Sequence, residues 1–225
     1  MYNNYVDESA VNSAITKVML WMVFGLGITA LGIVGVMTVP SLASFVFRSF
    51  HILMIAQFAL VIGLSWAIEK ITYNTAKIMF TVYSFVTGLF LSFIMYAYDF
   101  YTIVFALGAT VIVFTVMSIY GLTTKEDLTK FGNLLRTALI SLVIVSLVNM
   151  FLRSTSLYWI ISYAGVIIFT GLIGYDMQKI KETMYNIAGG DEELIGKVSI
   201  IGALNLYLDF INLFLHLLRV LGRRK

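Results

Sequence analysis

The protein has 225 residues, of which 60% are hydrophobic and only 12% are charged, and its mean hydropathy is +0.93. Soluble domains devote about 25% of their residues to Asp, Glu, Lys and Arg, so this chain cannot build a water-facing surface. Its hydrophobicity also excludes a disordered chain, and its net charge of +3 is scattered rather than gathered into a nucleic-acid-binding patch. The composition therefore predicts a protein that crosses a lipid bilayer several times and binds no nucleic acid.

The apolar runs along the chain predict seven transmembrane helices. A helix needs about 20 apolar residues to cross the bilayer, and a lone strand could not satisfy its backbone hydrogen bonds in lipid. The first run ends at Pro40, the single proline of the chain. We expect an all-α fold that forms a single membrane domain over residues 1–225, with no soluble domain. In chain order the runs cover residues 15–39, 52–68, 76–97, 101–122, 134–152, 157–175 and 198–221.

The distribution of Lys and Arg predicts the orientation of these helices. Cytoplasmic loops of membrane proteins carry an excess of basic residues. With the N-terminus in the cytoplasm, nine of the 15 basic residues lie on inner segments and six on outer ones. Three of those six form the tail Arg223, Arg224 and Lys225, which would then lie outside, against the rule. Seven crossings are the prediction, and the alternative is a last run that does not cross fully and leaves both termini inside.

Asp209 is the one ionisable residue near the middle of an apolar run. A charge at the centre of a membrane helix costs roughly +2.5 to +3.5 kcal/mol, so such a carboxylate indicates a functional site. Four further polar residues share one helical face with it and form what we call the polar seam: Asn205, Asn212, His216 and Arg219. The seam must face the bundle interior or water. For Asn205 and Asn212 we favour hydrogen bonds that hold neighbouring helices together, and for His216 a hydrogen-bonded interior position over a ligand role.

Asp176 is the second carboxylate of interest. It ends the sixth apolar run, where Gly171 and Gly174 thin the helix and let a neighbour approach. The last helix starts on the same side of the membrane, so Asp176 and Asp209 could meet. Two carboxylates in contact cannot both ionise cheaply and therefore share a proton, and a nearby cation, Lys70 or Arg219, could compete for them.

Three segments resemble the bacterial branch of the Bax inhibitor-1 family, also named after the transmembrane Bax inhibitor motif. Residues 203–215, ALNLYLDFINLFL, are similar to the last helix of that family. Residues 174–181, GYDMQKIK, resemble the end of its sixth helix, and residues 118–128, SIYGLTTKEDL, resemble the loop after its fourth helix. Length and helix count agree from end to end.

The resemblance implies a seven-helix fold with the last helix at the centre, and a pH-sensitive leak of Ca²⁺ gated by a pair of aspartates. Asp176 and Asp209 occupy the matching positions, so it implies that they sense pH and transiently hold Ca²⁺, the transported ion, without any cofactor. In some relatives a basic residue on the second helix locks the pair, and Lys70 is the candidate latch here. In some relatives an acidic residue on the second helix pairs with the arginine that matches Arg219. This chain has Gln57 at the comparable place, so the resemblance does not imply that salt bridge here. The expected location is a bacterial inner membrane.

Two other classes of function stay open at this point. Intramembrane aspartyl proteases also use two aspartates on adjacent helices, but Asp209 lacks their Gly-x-Gly-Asp context and the chain has no Pro-Ala-Leu element, so we expect no enzyme. A non-transporting regulator would bind a membrane protease or a stress-response partner, and residues 178–197 form the longest polar stretch for such docking.

Overall fold

The computed structural model describes residues 8–67, 70–187 and 190–222, and these residues contain eight α-helices and no strand. The predicted all-α fold is therefore confirmed. The basic tail used in the orientation argument lies outside the described residues. The helices are α1 (Glu8–Thr38), α2 (Pro40–Arg48), α3 (Phe50–Ala67), α4 (Tyr73–Ala97), α5 (Phe100–Thr123), α6 (Thr129–Leu152), α7 (Thr155–Ile187) and α8 (Glu192–Leu221).

Six of the described helices are long and apolar enough to cross a membrane, and a bent pair supplies the seventh candidate. The six are α1 and α4 to α8. The pair consists of α2 and the first part of α3, which meet at an angle of 76°. Large apolar side chains remain exposed on several of these helices, for example Ile112 at 66% and Ile167 at 72%. Such surfaces suit lipid rather than water, as the composition predicted.

Pro40 begins a helix in the structure, whereas the sequence indicated only the end of a run there. Proline has no N–H, so it fits the first position of a helix, where that group would have no partner inside the helix. Val39 is extended and Pro40 follows it as the first residue of α2. The residues between the first two predicted runs are therefore mostly helical rather than a loop.

The described helices fall into two compact units. The first unit contains α1 to α4 and the segment Thr183–Tyr207. That segment comprises the end of α7 and the start of α8. The second contains α5, α6 and most of α7 within Tyr98–Glu182, together with α8 from Leu208 onward.

The first unit is built on close contact between α1 and α4. A Cβ added to Gly88 of α4 would collide with the backbone of Thr29 in α1, so a glycine is needed at this crossing. The Thr29 hydroxyl also forms a hydrogen bond with the hydroxyl of Tyr207 in α8, with 2.6 Å between the oxygens. One buried apolar cluster takes a side chain from each of the first four helices: Val36, Val46, Leu53 and Leu89.

The second unit brings α5 and α6 against α7. Gly121 of α5 lies against the backbone of Gly174 in α7, and no side chain fits between them. On the α6 side, a Cβ at Gly171 would lie 2.9 Å from Cδ2 of Leu135. The two glycines that thin α7 therefore admit two neighbours just before Asp176.

The last helix is the most buried of the candidate spans among the described residues. Within an apolar stretch of 18 residues, 67% of α8 is buried, against 44% for α4, the next highest. This burial agrees with the interior position that the resemblance implied. The buried polar side chains of α8, Asp209 and His216, are therefore shielded from the surroundings of the protein.

Candidate functional site

The structure brings Asp176 and Asp209 into contact within the second unit. Asp209 lies in α8 and is 5% exposed, and Asp176 lies in α7 and is half-buried. Their carboxyl groups are in hydrogen-bond contact. The sequence predicted that these two residues could meet, and α7 and α8 place them side by side.

A hydrogen bond between two carboxyl groups requires a proton on one of them. Oδ2 of Asp209 is buried, and no N–H or O–H group of the described residues donates a hydrogen bond to it. Leu206, Phe210 and Leu213 flank it along α8, and all three are buried. An ionised carboxylate in such surroundings is costly unless it is paired with a cation. The site is therefore suited to hold either a proton or a cation.

Arg136 and Lys179 bring positive charge close to Asp176. Both interact electrostatically with its carboxyl group. Arg136 of α6 is fixed by Tyr175, because its Nη2 donates to the tyrosine hydroxyl at 3.1 Å and its guanidinium lies 5.7 Å from the ring centre. A Cβ at Gly132, one turn earlier on α6, would lie 2.6 Å from that ring. Sequence reasoning missed this role, because a basic residue near a helix end is ordinary in a membrane protein.

Gln178 binds the loop between α5 and α6 to α7, two residues after Asp176. Its Nε2 donates to the carbonyl of Glu126 at 2.8 Å, and its Oε1 accepts from the N–H of Leu128, also at 2.8 Å. The Nζ of Lys181 donates to the Leu122 carbonyl at 2.7 Å. We call these three contacts the loop clamp. It joins two of the segments that carried the family resemblance, which the sequence alone left unconnected.

The same loop is ordered at the start of α6 by Asp127. The hydroxyl of Thr129 and its N–H, the latter at 3.0 Å, both donate to Asp127 Oδ1. These hydrogen bonds hold the pKa of Asp127 below its ordinary value. Asp127 therefore stays ionised at neutral pH and stabilises the first turn of α6.

The polar seam continues beyond Asp209 toward the end of α8. Asn212 donates from Nδ2 to the carbonyl of Leu208 at 2.8 Å, so this hydrogen bond stays within its own helix rather than linking two. His216 is buried and stacks on Phe169 of α7, with ring centres 5.6 Å apart and 28° between the planes. Its Nδ1 has no hydrogen-bond partner in the described part of the chain. His216 is thus an interior residue, as predicted, whose ring packs on Phe169 and whose predicted hydrogen bond is not made at Nδ1 among the described residues.

The remaining predicted residues are Asn205, Arg219 and Lys70. Asn205 is half-buried on α8, in the part that belongs to the first unit, and Arg219 is half-buried in the last turn of that helix. Lys70 is exposed between α3 and α4, also in the first unit, and its latch role stays a prediction. Within the described ranges, no three His, Cys, Asp or Glu side chains are grouped as a metal site.

The chain matches the family model described as "Inhibitor of apoptosis-promoting Bax1" over residues 11–225. It belongs to the Bax inhibitor-1 family. "Inner membrane protein YbhL" of Escherichia coli (strain K12) is 49% identical to it over 173 residues, which cover 77% of this chain and 74% of the relative. A protein of Borreliella burgdorferi is 43% identical over 217 residues, covering 95% and 93%. A protein of Rickettsia prowazekii is 38% identical over 225 residues, covering 99% and 94%.

Membership of the Bax inhibitor-1 family confirms the resemblance carried by the three segments. Together with the apolar helices, it establishes a multi-pass membrane protein. The match extends over nearly the whole chain and so includes both Asp176 and Asp209.

Proposed function

We propose that this Bax inhibitor-1 family member is a pH-sensitive Ca²⁺ leak channel in which Asp176 and Asp209 form the gate. The contact between these two carboxyl groups, one of them buried in the most buried helix, is the observation that carries the proposal. The family resemblance supports the same reading.

The proposed gate works through the proton that the two carboxyl groups share. With that proton present, a hydrogen bond joins α7 to α8. Without it, two negative charges repel each other in a poorly solvated place, which makes the contact unfavourable. Hard cations such as Ca²⁺ bind carboxylate oxygens, so the ionised pair also offers ligands to an ion passing between the helices. Proton exchange at one point thereby couples pH to ion passage.

Ca²⁺ flux into proteoliposomes at a series of pH values tests this proposal. We expect the wild-type flux to change with pH by up to about tenfold per pH unit, the limit for one proton. Asp209→Asn and Asp176→Asn should each remove that pH dependence, because an amide does not titrate in this range. If Asp209→Asn leaves both the flux and its pH dependence as in the wild type, the proposal is wrong.

A matched control is available at Asp99. This aspartate caps the start of α5, accepting a hydrogen bond from the N–H of Thr102 at 3.0 Å. Asparagine caps helices about as well as aspartate, so Asp99→Asn removes a carboxylate without disturbing the fold. Its flux should keep the wild-type pH dependence.

We further propose that the chain lies in a bacterial inner membrane with its N-terminus in the cytoplasm. The Escherichia coli relative is named an inner membrane protein, which supports the first part. The excess of basic residues on the predicted inner segments supports the second.

A further inference from the structure

A cavity of about 970 Å³ lies in the second unit, and neither Asp176 nor Asp209 lines it. It is formed where the turn between α6 and α7 meets the last turn of α8. A smaller cavity of about 350 Å³ adjoins it, and Asn149, Tyr158 and Arg219 line both. The pair of cavities thus forms one recess, which we call the arginine pocket.

The arginine pocket carries two positive charges from different helices. Arg153 lies at the end of α6 and Arg219 in the last turn of α8, and both line the larger cavity. None of its described lining residues is acidic. In the described part of the chain, neither arginine takes part in a salt bridge. Two guanidinium groups without a carboxylate partner favour an anion between them.

Arg153 is held at the rim in an unfavourable backbone conformation. Its φ of 51° and ψ of 32° lie in the left-handed region, and it is the only non-glycine residue with positive φ among those described. Glycine or asparagine would adopt this conformation at lower cost. The turn is fixed by Asn149, whose carbonyl accepts the N–H of Arg153 at 2.8 Å and whose Oδ1 accepts the N–H of Ser154 at 2.9 Å. A strained residue whose side chain lines a cavity points to a function for that side chain.

The remaining walls combine hydrogen-bond donors with apolar surface. α7 begins at Thr155 on the lining, so the positive end of a 33-residue helix faces the cavity. Trp159 and Leu221 also line it and are each 40% exposed. A tryptophan beside arginines is typical of the level at which lipid headgroups meet the hydrocarbon.

We propose that the arginine pocket binds an anionic phosphate group, supplied by the headgroup of an acidic phospholipid. The two guanidinium groups and the start of α7 take the phosphate oxygens, because arginine forms paired hydrogen bonds to phosphate. The apolar wall at Trp159 and Leu221 accommodates the adjoining part of the lipid. Inorganic phosphate shares the recognised chemistry and is the second source of the same group.

Native mass spectrometry of the full chain, released from detergent with added lipid, tests the proposal. We expect retention of phosphatidylglycerol but weaker retention of phosphatidylcholine, whose phosphate is accompanied by a cation that the arginines repel. Arg153→Gln and Arg219→Gln should each weaken phosphatidylglycerol binding by about tenfold or more, as expected for the loss of a charge-assisted hydrogen bond. Arg48→Gln is the matched control, since Arg48 is exposed at the end of α2 and should bind as the wild type does.

Arg153→Gly separates lipid binding from folding. Glycine relieves the left-handed conformation, so this variant should unfold at a higher temperature than the wild type, yet it should bind phosphatidylglycerol more weakly. Equal phosphatidylglycerol retention by the wild type and all arginine variants would overturn the proposal, as would equal retention of the two lipids.

A competition arm separates the two sources of phosphate. If inorganic phosphate displaces phosphatidylglycerol from the wild type, the phosphate group itself is recognised. If phosphatidylglycerol binds and inorganic phosphate does not displace it, the pocket requires the lipid as a whole. Either result supports an anionic phosphate site if the arginine variants weaken binding. If the arginine variants bind as the wild type does, the proposal is contradicted whichever competition result is found.

Discussion

Two glycines on α5 have different surroundings. A Cβ added to Gly121 would collide with the carbonyl oxygen of Gly174 on α7, whereas one added to Gly108 would have no atom within 4 Å. Glycine in a helix interior costs about 1 kcal/mol relative to alanine. Gly121 is therefore required by packing, while Gly108 carries no such constraint.

Gly121→Ala should lower the thermal unfolding midpoint of the protein in detergent. The atom it meets belongs to backbone that cannot rotate away, and overpacking of this kind costs about 1–3 kcal/mol. Gly108→Ala on the same helix is the control and should leave the midpoint unchanged or raise it. Equal midpoints for the two variants would show that α5 and α7 do not approach each other at Gly121.

The sequence identified the two aspartates but not the groups around them. Asp209 stands out because a charge within an apolar run is costly, and Asp176 because two glycines precede it. Arg136 and Gln178 give no comparable signal, since a basic or amide residue near a helix end is ordinary. His216 fits the polar seam by spacing, yet its ring packs on Phe169, a contact that helical periodicity cannot predict.

The loop clamp is the clearest contact between elements near the candidate site. It fixes the loop between α5 and α6 to the part of α7 that carries Asp176. Because Gln178 supplies both a donor and an acceptor, a side chain lacking either cannot replace it.

Gln178→Ala should increase amide hydrogen exchange at Leu128, whose N–H loses its acceptor. Faster exchange follows because a loop without its hydrogen bonds opens locally at lower cost. Hydrogen–deuterium exchange with mass spectrometry measures the effect on the peptide that covers the loop. Glu182→Ala, at an exposed site one turn along α7, should leave that peptide unchanged. Equal exchange in the two variants would show that Gln178 does not hold the loop.

At the level of elements, apolar runs predicted the long helices well and short ones poorly. Runs of about 20 apolar residues permit only a helix in lipid. The first helix ends just before Pro40, as predicted, but Pro40 also begins α2, because a proline can follow one helix and start the next. The 76° bend between α2 and α3 likewise depends on packing, since both flanking sequences are helical.

The absence of cysteine from the whole chain makes its orientation directly testable. Lys125→Cys and Ser156→Cys each introduce a single thiol at an exposed position, the first in the α5–α6 loop and the second at the start of α7. With the N-terminus in the cytoplasm, a membrane-impermeant maleimide should label Ser156→Cys in intact spheroplasts and Lys125→Cys only after lysis. The opposite pattern would place the N-terminus outside.

A third thiol, from Lys225→Cys, extends the same measurement to the number of crossings. Seven crossings predict labelling from outside. Protection of this thiol, with Ser156→Cys still labelled, would mean that the last helix does not cross fully and that both termini lie inside.

The place of Asp209 along α8 has an electrical consequence. It follows the start of the helix by 17 residues and precedes its end by 12, about 26 Å and 18 Å along the axis. Moving an elementary charge across the whole membrane changes its free energy by about 2.3 kcal/mol per 100 mV. Moving a proton from one side to Asp209 therefore changes its free energy by roughly half of that. About 1 kcal/mol is roughly a fivefold change in occupancy. Loss of the membrane voltage would thus alter the protonation of this aspartate even where the acidity on both sides stays constant.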